Sequence, residues 1–201
     1  MINAPKISVI LHTFNQEKYI RDSIEGILAQ KTRFSFEIIV HDDASTDSTT
    51  SVIKEYHSKH PDLIIPIIQS RNQYSLGRKP STITIPYAKG EYIAFCEGDD
   101  YWCCSEKLES QVNFMEGNSS VALCATSCFL DYSSTQGSLL HKNVRSGAWS
   151  TDELAKEGGG ALPTASLVFR REVFDHLGAW FQAAPLGDYY LQVLALSLIH
   201  I

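Results

Sequence analysis

Two groups of carboxylates stand where apolar runs stop. His41-Asp42-Asp43-Ala44-Ser45-Thr46-Asp47 follows Phe36-Glu37-Ile38-Ile39-Val40, and Glu97-Gly98-Asp99-Asp100 follows Tyr92-Ile93-Ala94-Phe95-Cys96. Hydrated loop carboxylates cost little one by one. Several gathered at neighbouring strand ends concentrate negative charge and need a compensating cation. A divalent metal carrying a phosphorylated ligand suits such an arrangement.

The elements that must position these acids follow from period and punctuation. Ile7-Ser8-Val9-Ile10-Leu11 predicts a buried strand. Tyr19, Ile20, Ser23, Ile24, Ile27 and Leu28 recur at three- and four-residue steps, which predicts an amphipathic helix over about residues 16–30 with Asn15 as its N-cap. Phe36–Val40 is the second strand, and Ser45 or Asp47 is expected to cap a helix over about 48–59 that Pro61 stops. Leu63–Ile68 reads as a third strand, which Pro66 confines to an edge or an irregularity. A short helix over about 81–88 and a strand Glu91–Cys96 follow. A helix from Ser105 puts Leu108, Val112 and Met115 on one face, and Val121–Leu130 reads as a fifth strand. Ser133–Gly160 is rich in Ser and Gly and reads as a loop carrying one short helix. Pro163–Arg170 resumes the strand pattern, Arg171–Leu177 reads as a helix, and Gly187 opens another. This alternation predicts an α/β fold with parallel pairing and right-handed crossovers. Ligands in such sheets bind beyond the carboxyl ends of the strands, where both acidic groups fall.

Bulk composition narrows the function classes. The chain has 201 residues, 44% of them hydrophobic, which suits one domain with a sizeable core. A net charge of −6 argues against non-specific nucleic-acid binding, which needs basic surface. Five cysteines, none in a CxxC pair, read as free thiols of a reducing compartment. The N-terminus lacks an apolar signal core, and no apolar run reaches the ~18–20 residues that span a bilayer. A cytoplasmic protein is expected, with any membrane association made through segments outside this sequence. Leu196-Ser197-Leu198-Ile199-His200-Ile201 matches the in-frame translation of a transposon-end adapter used in sequencing libraries. Residues 196–201 are therefore expected to be a non-native tail on a domain of residues 1–195.

Three segments, in order, resemble the family 2 glycosyltransferases of the GT-A fold. They are Ser8-Val9-Ile10-Leu11-His12-Thr13-Phe14-Asn15, Asp42-Asp43-Ala44-Ser45-Thr46-Asp47, and Gly90-Glu91-Tyr92-Ile93-Ala94-Phe95-Cys96-Glu97-Gly98-Asp99-Asp100-Tyr101-Trp102. The resemblance runs over roughly residues 6–195, so the whole is identified as a C-terminally truncated member. It implies a Rossmann-like three-layer sandwich with a mostly parallel central sheet. The implied reaction moves a sugar, with inversion, from a nucleotide diphosphate donor to an acceptor hydroxyl. The acceptor would be carbohydrate or lipid-linked, and the product a surface polysaccharide or glycoconjugate.

The same resemblance assigns roles. Phe14 lies along the nucleobase, where stacking adds about 1 kcal/mol and tolerates different bases. His12, in the same segment, is grouped with the donor-binding residues. Asp43 is similar to the family's base-reading acid and would accept the imide N–H of uracil, which favours a UDP-sugar. Asp42 orients either the loop or the ribose, and Asp47 is a candidate turn or cap residue. Arg78, with Arg71 and Lys79, sits in the loop where the family often places a basic residue against the diphosphate. Glu97-Gly98-Asp99 occupies the Asp-x-Asp position for Mn2+ or Mg2+, with Asp99 as direct ligand and Glu97 replacing the usual first aspartate. Asp100 binds the metal or caps the following turn. Gly187-Asp188-Tyr189 resembles the late acidic motif, with Asp188 as general base. A nucleotidyltransferase would show a glycine-rich basic loop after the first strand, and His12-Thr13-Phe14-Asn15 is not one. A non-catalytic nucleotide-sugar-binding module is the other alternative.

Overall fold

The computed structural model describes residues 4–131, 139–142, 146–158, 161–185 and 187–198. Four apolar runs become parallel strands. β1 (Ile7–Thr13) pairs with β2 (Phe36–Asp42) on one side and with β4 (Tyr92–Glu97) on the other, and β2 pairs with β3 (Ile64–Ile68). Each crossover carries helix: α1 (Ile20–Leu28) after β1, α2 (Thr49–Lys59) after β2, and α3 (Pro80–Thr84) before β4. α4 (Lys107–Glu116) follows β4.

Two antiparallel pairings complete the sheet. β8 (Val168–Arg170) lies against β4, and β5 (Leu123–Cys124) lies against β8, giving the order β3-β2-β1-β4-β8-β5. The fifth strand expected over Val121–Leu130 is two elements. β5 joins the main sheet, while β6 (Cys128–Asp131) forms a separate ribbon with β7 (Leu139–Lys142). α5 (Thr151–Glu157) carries a full capping box from Ser150 and Glu153. The run after it continues through α6 (Trp180–Ala183) into α7 (Gly187–Leu198). The segment expected as a helix at Arg171–Leu177 is a 3-10 turn over Arg171–His176.

The strands alternate between two apolar clusters, as a sheet buried on both faces must. Val9, Leu11, Ile38, Val40 and Ala94 pack with Ile24 and Ile27 of α1, Ile53 of α2 and Leu108 and Val112 of α4. Ile10, Ile39, Ile93 and Phe95 pack with Leu154 of α5, Phe174 of the 3-10 turn, Phe181 of α6 and Leu191 of α7. Leu196, in the segment expected to be non-native, is 6% exposed within this second cluster.

Two local expectations change. Asn15 is not the cap of α1; Tyr19 holds that position, and Asn15 has φ 54 in the left-handed region. Its Oδ1 instead accepts from the Thr46 amide at 2.8 Å, which stitches the loop after β1 to the loop after β2. The N-cap of α2 is Ser48 rather than Ser45 or Asp47, although Asp47 accepts from the Thr49 amide at 2.9 Å and from the Glu17 amide at 3.1 Å.

Candidate active site

Register brings both acidic groups to one edge. His12, near the end of β1, is in register with His41 on β2 and with Glu97 on β4. The Asp43 amide donates to Thr13 O at 3.0 Å, and the Gly98 amide donates to His12 O at 2.8 Å. The two loops therefore leave the sheet on either side of β1. Gly98 is required there: a Cβ would stand 2.6 Å from Thr13 Oγ1 and 2.7 Å from Thr13 Cβ. The His12 and His41 rings meet edge-on at 5.8 Å, and His12 Nε2 is hydrogen-bonded to Thr84 Oγ1 at 3.1 Å. Burial, and then His41 beside it, pushes the His12 imidazole down to about 3, so this ring is neutral.

Glu97, Asp99 and Asp100 form the group suited to a cation among the described residues. Their nearest carboxylate oxygens all lie within 4.8 Å of one another. Glu97 keeps contact with solvent, yet its carboxyl is crowded by protein. That loss of hydration, then the charges of Asp100, Asp99 and Asp188, raises it to about 7. Asp100 is raised to about 6 by the same loss of hydration and by Asp99. Three oxygen donors in mutual repulsion fit a hard divalent cation, which would relieve the repulsion on binding.

A cavity of about 270 Å³ opens beside this group and reaches Asp188. Glu97 and Asp188 share its wall with His12, Ser81, Lys79 and Thr164. Its floor is Phe95, Leu167, Phe169 and Leu191. Asp188 sits in the first turn of α7, and its Oδ2 accepts from Thr164 Oγ1 at 3.1 Å. A more open depression of about 350 Å³ lies between Lys31, Arg33, Glu106 and Glu109, where Arg33 already pairs with Glu109.

The first acidic group is built differently. Asp42 is fully buried and accepts from the Ser45 amide at 3.0 Å and from the Thr50 hydroxyl, so it orients the loop. Asp43 is 4% exposed, and its two oxygens accept from the Gln73 and Tyr74 amides at 2.7 and 2.9 Å. It thereby ties the end of β2 to the segment before α3. Phe14, just after β1, is 44% exposed. Arg78 is exposed and donates to Gln73 Oε1 at 3.1 Å; of the basic residues expected in this loop, Lys79 lines the cavity.

The family model described as "Glycosyl transferase family 2" matches residues 8–178. The chain belongs to glycosyl transferase family 2. An uncharacterized glycosyltransferase of Nostoc sp. is 33% identical over 180 residues, covering 85% of this chain and 52% of that protein. A mannosyltransferase from Pyrobaculum calidifontis, solved in complex with GDP-Man and Mn2+, superposes with a TM-score of 0.67 at 18% identity. The match covers 96% of this chain and 52% of that one. Staphylococcus aureus TarS 1–349 in complex with UDP superposes with a TM-score of 0.65 at 20% identity, over 94% of this chain and 55% of that one. These likenesses establish the GT-A fold, a mostly parallel sheet between helical layers. The chain spans about half the length, or less, of the curated relatives it matches.

Within this family 2 chain, the sequence reading passed over several residues that line the site. Thr164 lies in a stretch read as strand, and it forms a 3-10 turn that presents its hydroxyl to Asp188. Tyr74 and Ser81 line the cavity from the segment around α3. Their types carry no signal in isolation; only the crossover geometry places them. Among the described residues, no helix is long and apolar enough to cross a membrane.

Proposed function

We propose that this chain is the donor-binding and catalytic part of an inverting glycosyltransferase. The donor is a nucleotide diphosphate sugar, a UDP-sugar by preference, and the acceptor is a hydroxyl of a carbohydrate or lipid-linked molecule. The setting is cytoplasmic synthesis of surface polysaccharide or glycoconjugate. The observation that carries this reading is the shared cavity: Glu97, at the edge of a three-carboxylate cluster, and Asp188, on the first turn of α7, line one space. The complexes of the structural neighbours with GDP-Man and Mn2+ and with UDP support it.

In this reading Phe14 stacks on the nucleobase. Asp43 uses the lone pairs left by the Gln73 and Tyr74 amides to accept the base imide. Arg78 faces the diphosphate, and His12 closes the donor site beneath it. Asp99 and Glu97, with Asp100 beside them, would hold Mn2+ or Mg2+, which when bound neutralises charge on the diphosphate oxygens. Asp188 accepts the proton of the acceptor hydroxyl as its oxygen bonds to the anomeric carbon. The bond from that carbon to the phosphate oxygen breaks, and the diphosphate leaves with the electron pair. The attacking oxygen enters opposite the leaving group, so the configuration inverts.

The test separates binding from transfer. Calorimetry with UDP-sugar and Mn2+ should show donor binding lost in Asp99→Asn and kept in Asp188→Asn, while Asp188→Asn transfers no sugar. Equal donor affinity in wild type and Asp99→Asn would refute the metal assignment. Donor binding without hydrolysis or transfer by the wild type would mark a binding module.

A further inference from the structure

Lys79 joins two parts of the cavity wall that come from distant stretches of chain. Its ammonium donates to Ala184 O and lies 5.6 Å from the centre of the Phe181 ring. Its stem runs beside Gly187, where an added Cβ would lie 3.5 Å from Lys79 Cδ. Gln182 makes a second tie from α6. Its Oε1 accepts from the Lys79 amide at 3.4 Å, and its Nε2 donates to Thr82 Oγ1 at 2.8 Å. Thr82 Oγ1 in turn donates to Lys79 O at 2.7 Å. Both ties meet at the start of α3, and they hold Gln182 of α6 and Ala184 at its C-cap, just ahead of α7.

α6 needs such support. α6 has four residues, too few to hold itself by helical hydrogen bonds, and the next helix begins at Gly187. Asp188 follows directly. Its carboxylate position is set by where the first turn of α7 is anchored, together with the Thr164 hydroxyl.

We propose that Lys79 is a positioning residue for Asp188. With Gln182 it clasps the C-terminal end of α6 to the start of α3, and so fixes the carboxylate at the start of α7 against the cavity. This rests on the reading of Asp188 as the base. Lys79 also lines the cavity, whereas Gln182 is exposed and lies outside it, so the two can be told apart.

The experiment uses Lys79→Met, Gln182→Leu and Lys79→Arg in the chain described here, with hydrogen exchange of peptides covering residues 184–191 and steady-state transfer kinetics. Lys79→Met and Gln182→Leu should both exchange about threefold faster or more in those peptides. Both should lose roughly tenfold in kcat with donor KM within about twofold of wild type. Lys79→Arg, which keeps the charge and reach, should recover most of the rate. Unchanged exchange in both variants would overturn the clasp. A raised donor KM in Lys79→Met with a wild-type Gln182→Leu would overturn it too, marking Lys79 as a direct donor ligand. A fully active Asp188→Asn would refute the base assignment instead, and the exchange rates would still decide the clasp.

Discussion

The Thr164 hydroxyl lies 3.1 Å from Oδ2 of Asp188, joining the 3-10 turn before β8 to the first turn of α7. A lone carboxylate on a helix start has rotamers to choose from; a donor on a neighbouring element selects one. Thr164→Val should lower kcat about tenfold while leaving donor affinity and melting temperature near wild type. Thr164→Ser should restore the rate. Parallel kinetics and calorimetry on the two variants check this.

Glu97 governs how the cation-free protein responds to pH. Its carboxyl is raised from the ordinary 4.5 to about 7, chiefly by lost hydration and by Asp100. Between these values the folded protein keeps a proton that the unfolded chain has released, so stability falls as pH rises through that window. Glu97→Gln should raise the melting temperature of the metal-free protein at pH 7.5 and leave it nearly unchanged at pH 4.5. Mn2+ should raise the wild-type melting temperature at pH 7.5 and have no such effect on Asp99→Asn. Thermal-shift measurements across pH, with and without metal, provide the check.

Lys107 is 8% exposed, and its Nζ has no hydrogen-bond acceptor among the described residues. It lies 4.1 Å from the centre of the Trp102 ring. Burial pushes its ammonium from the ordinary 10.5 down to about 8, and the cation–π contact offsets part of the cost. Between pH 8 and 10.5 the unfolded chain holds a proton that the folded one has lost, so stability rises with pH there. Lys107→Met should add about 1–3 kcal/mol at pH 7 and flatten that rise. Urea unfolding at pH 7, 8, 9 and 10 measures both effects.

Gly98 lets the acidic loop turn directly over β1. A Cβ there would stand 2.4 Å from Gln16 Oε1 and 2.7 Å from Thr13 Cβ. The glutamine amide is able to swing aside; the β-branched threonine is not. Gly98→Ala should cost about 1–3 kcal/mol and weaken Mn2+ binding by displacing Glu97 and Asp99. Unfolding and metal titration on the same preparation test both parts.

Much of the site was legible because parallel strands advertise themselves. β1, β2 and β4 are short, continuous apolar runs, and the carboxylates begin where these runs end, so strand ends and acids were read together. Pro66 likewise marked β3 as peripheral, and β3 is the edge strand. The stretch Val121–Leu130 misled because apolar residues run through it on both sides of Ala125-Thr126-Ser127, and composition does not reveal which partner each half takes. β5 finds β8, some forty residues later, and β6 finds β7. Asn15 misled for a related reason: its preference for caps is shared with its tolerance of the left-handed region, and the partner loop at Thr46 decided between them. Thr164 and Ser81 were opaque as site residues, since their positions depend on elements that meet only in the folded chain.

The edge proline has a consequence for how this molecule behaves in company. Leu63 O receives the Ile38 amide and the Gln69 amide reaches Asp42 O, so the odd-numbered residues of β3 turn their backbone polar groups toward β2. Pro66, an even-numbered residue, faces its missing N–H away from the sheet. An incoming strand from another molecule would find a gap in the donor row midway along that border. The flank farthest from β5 is thus poorly suited to templating aggregates, and concentrated solution should leave this border unzipped.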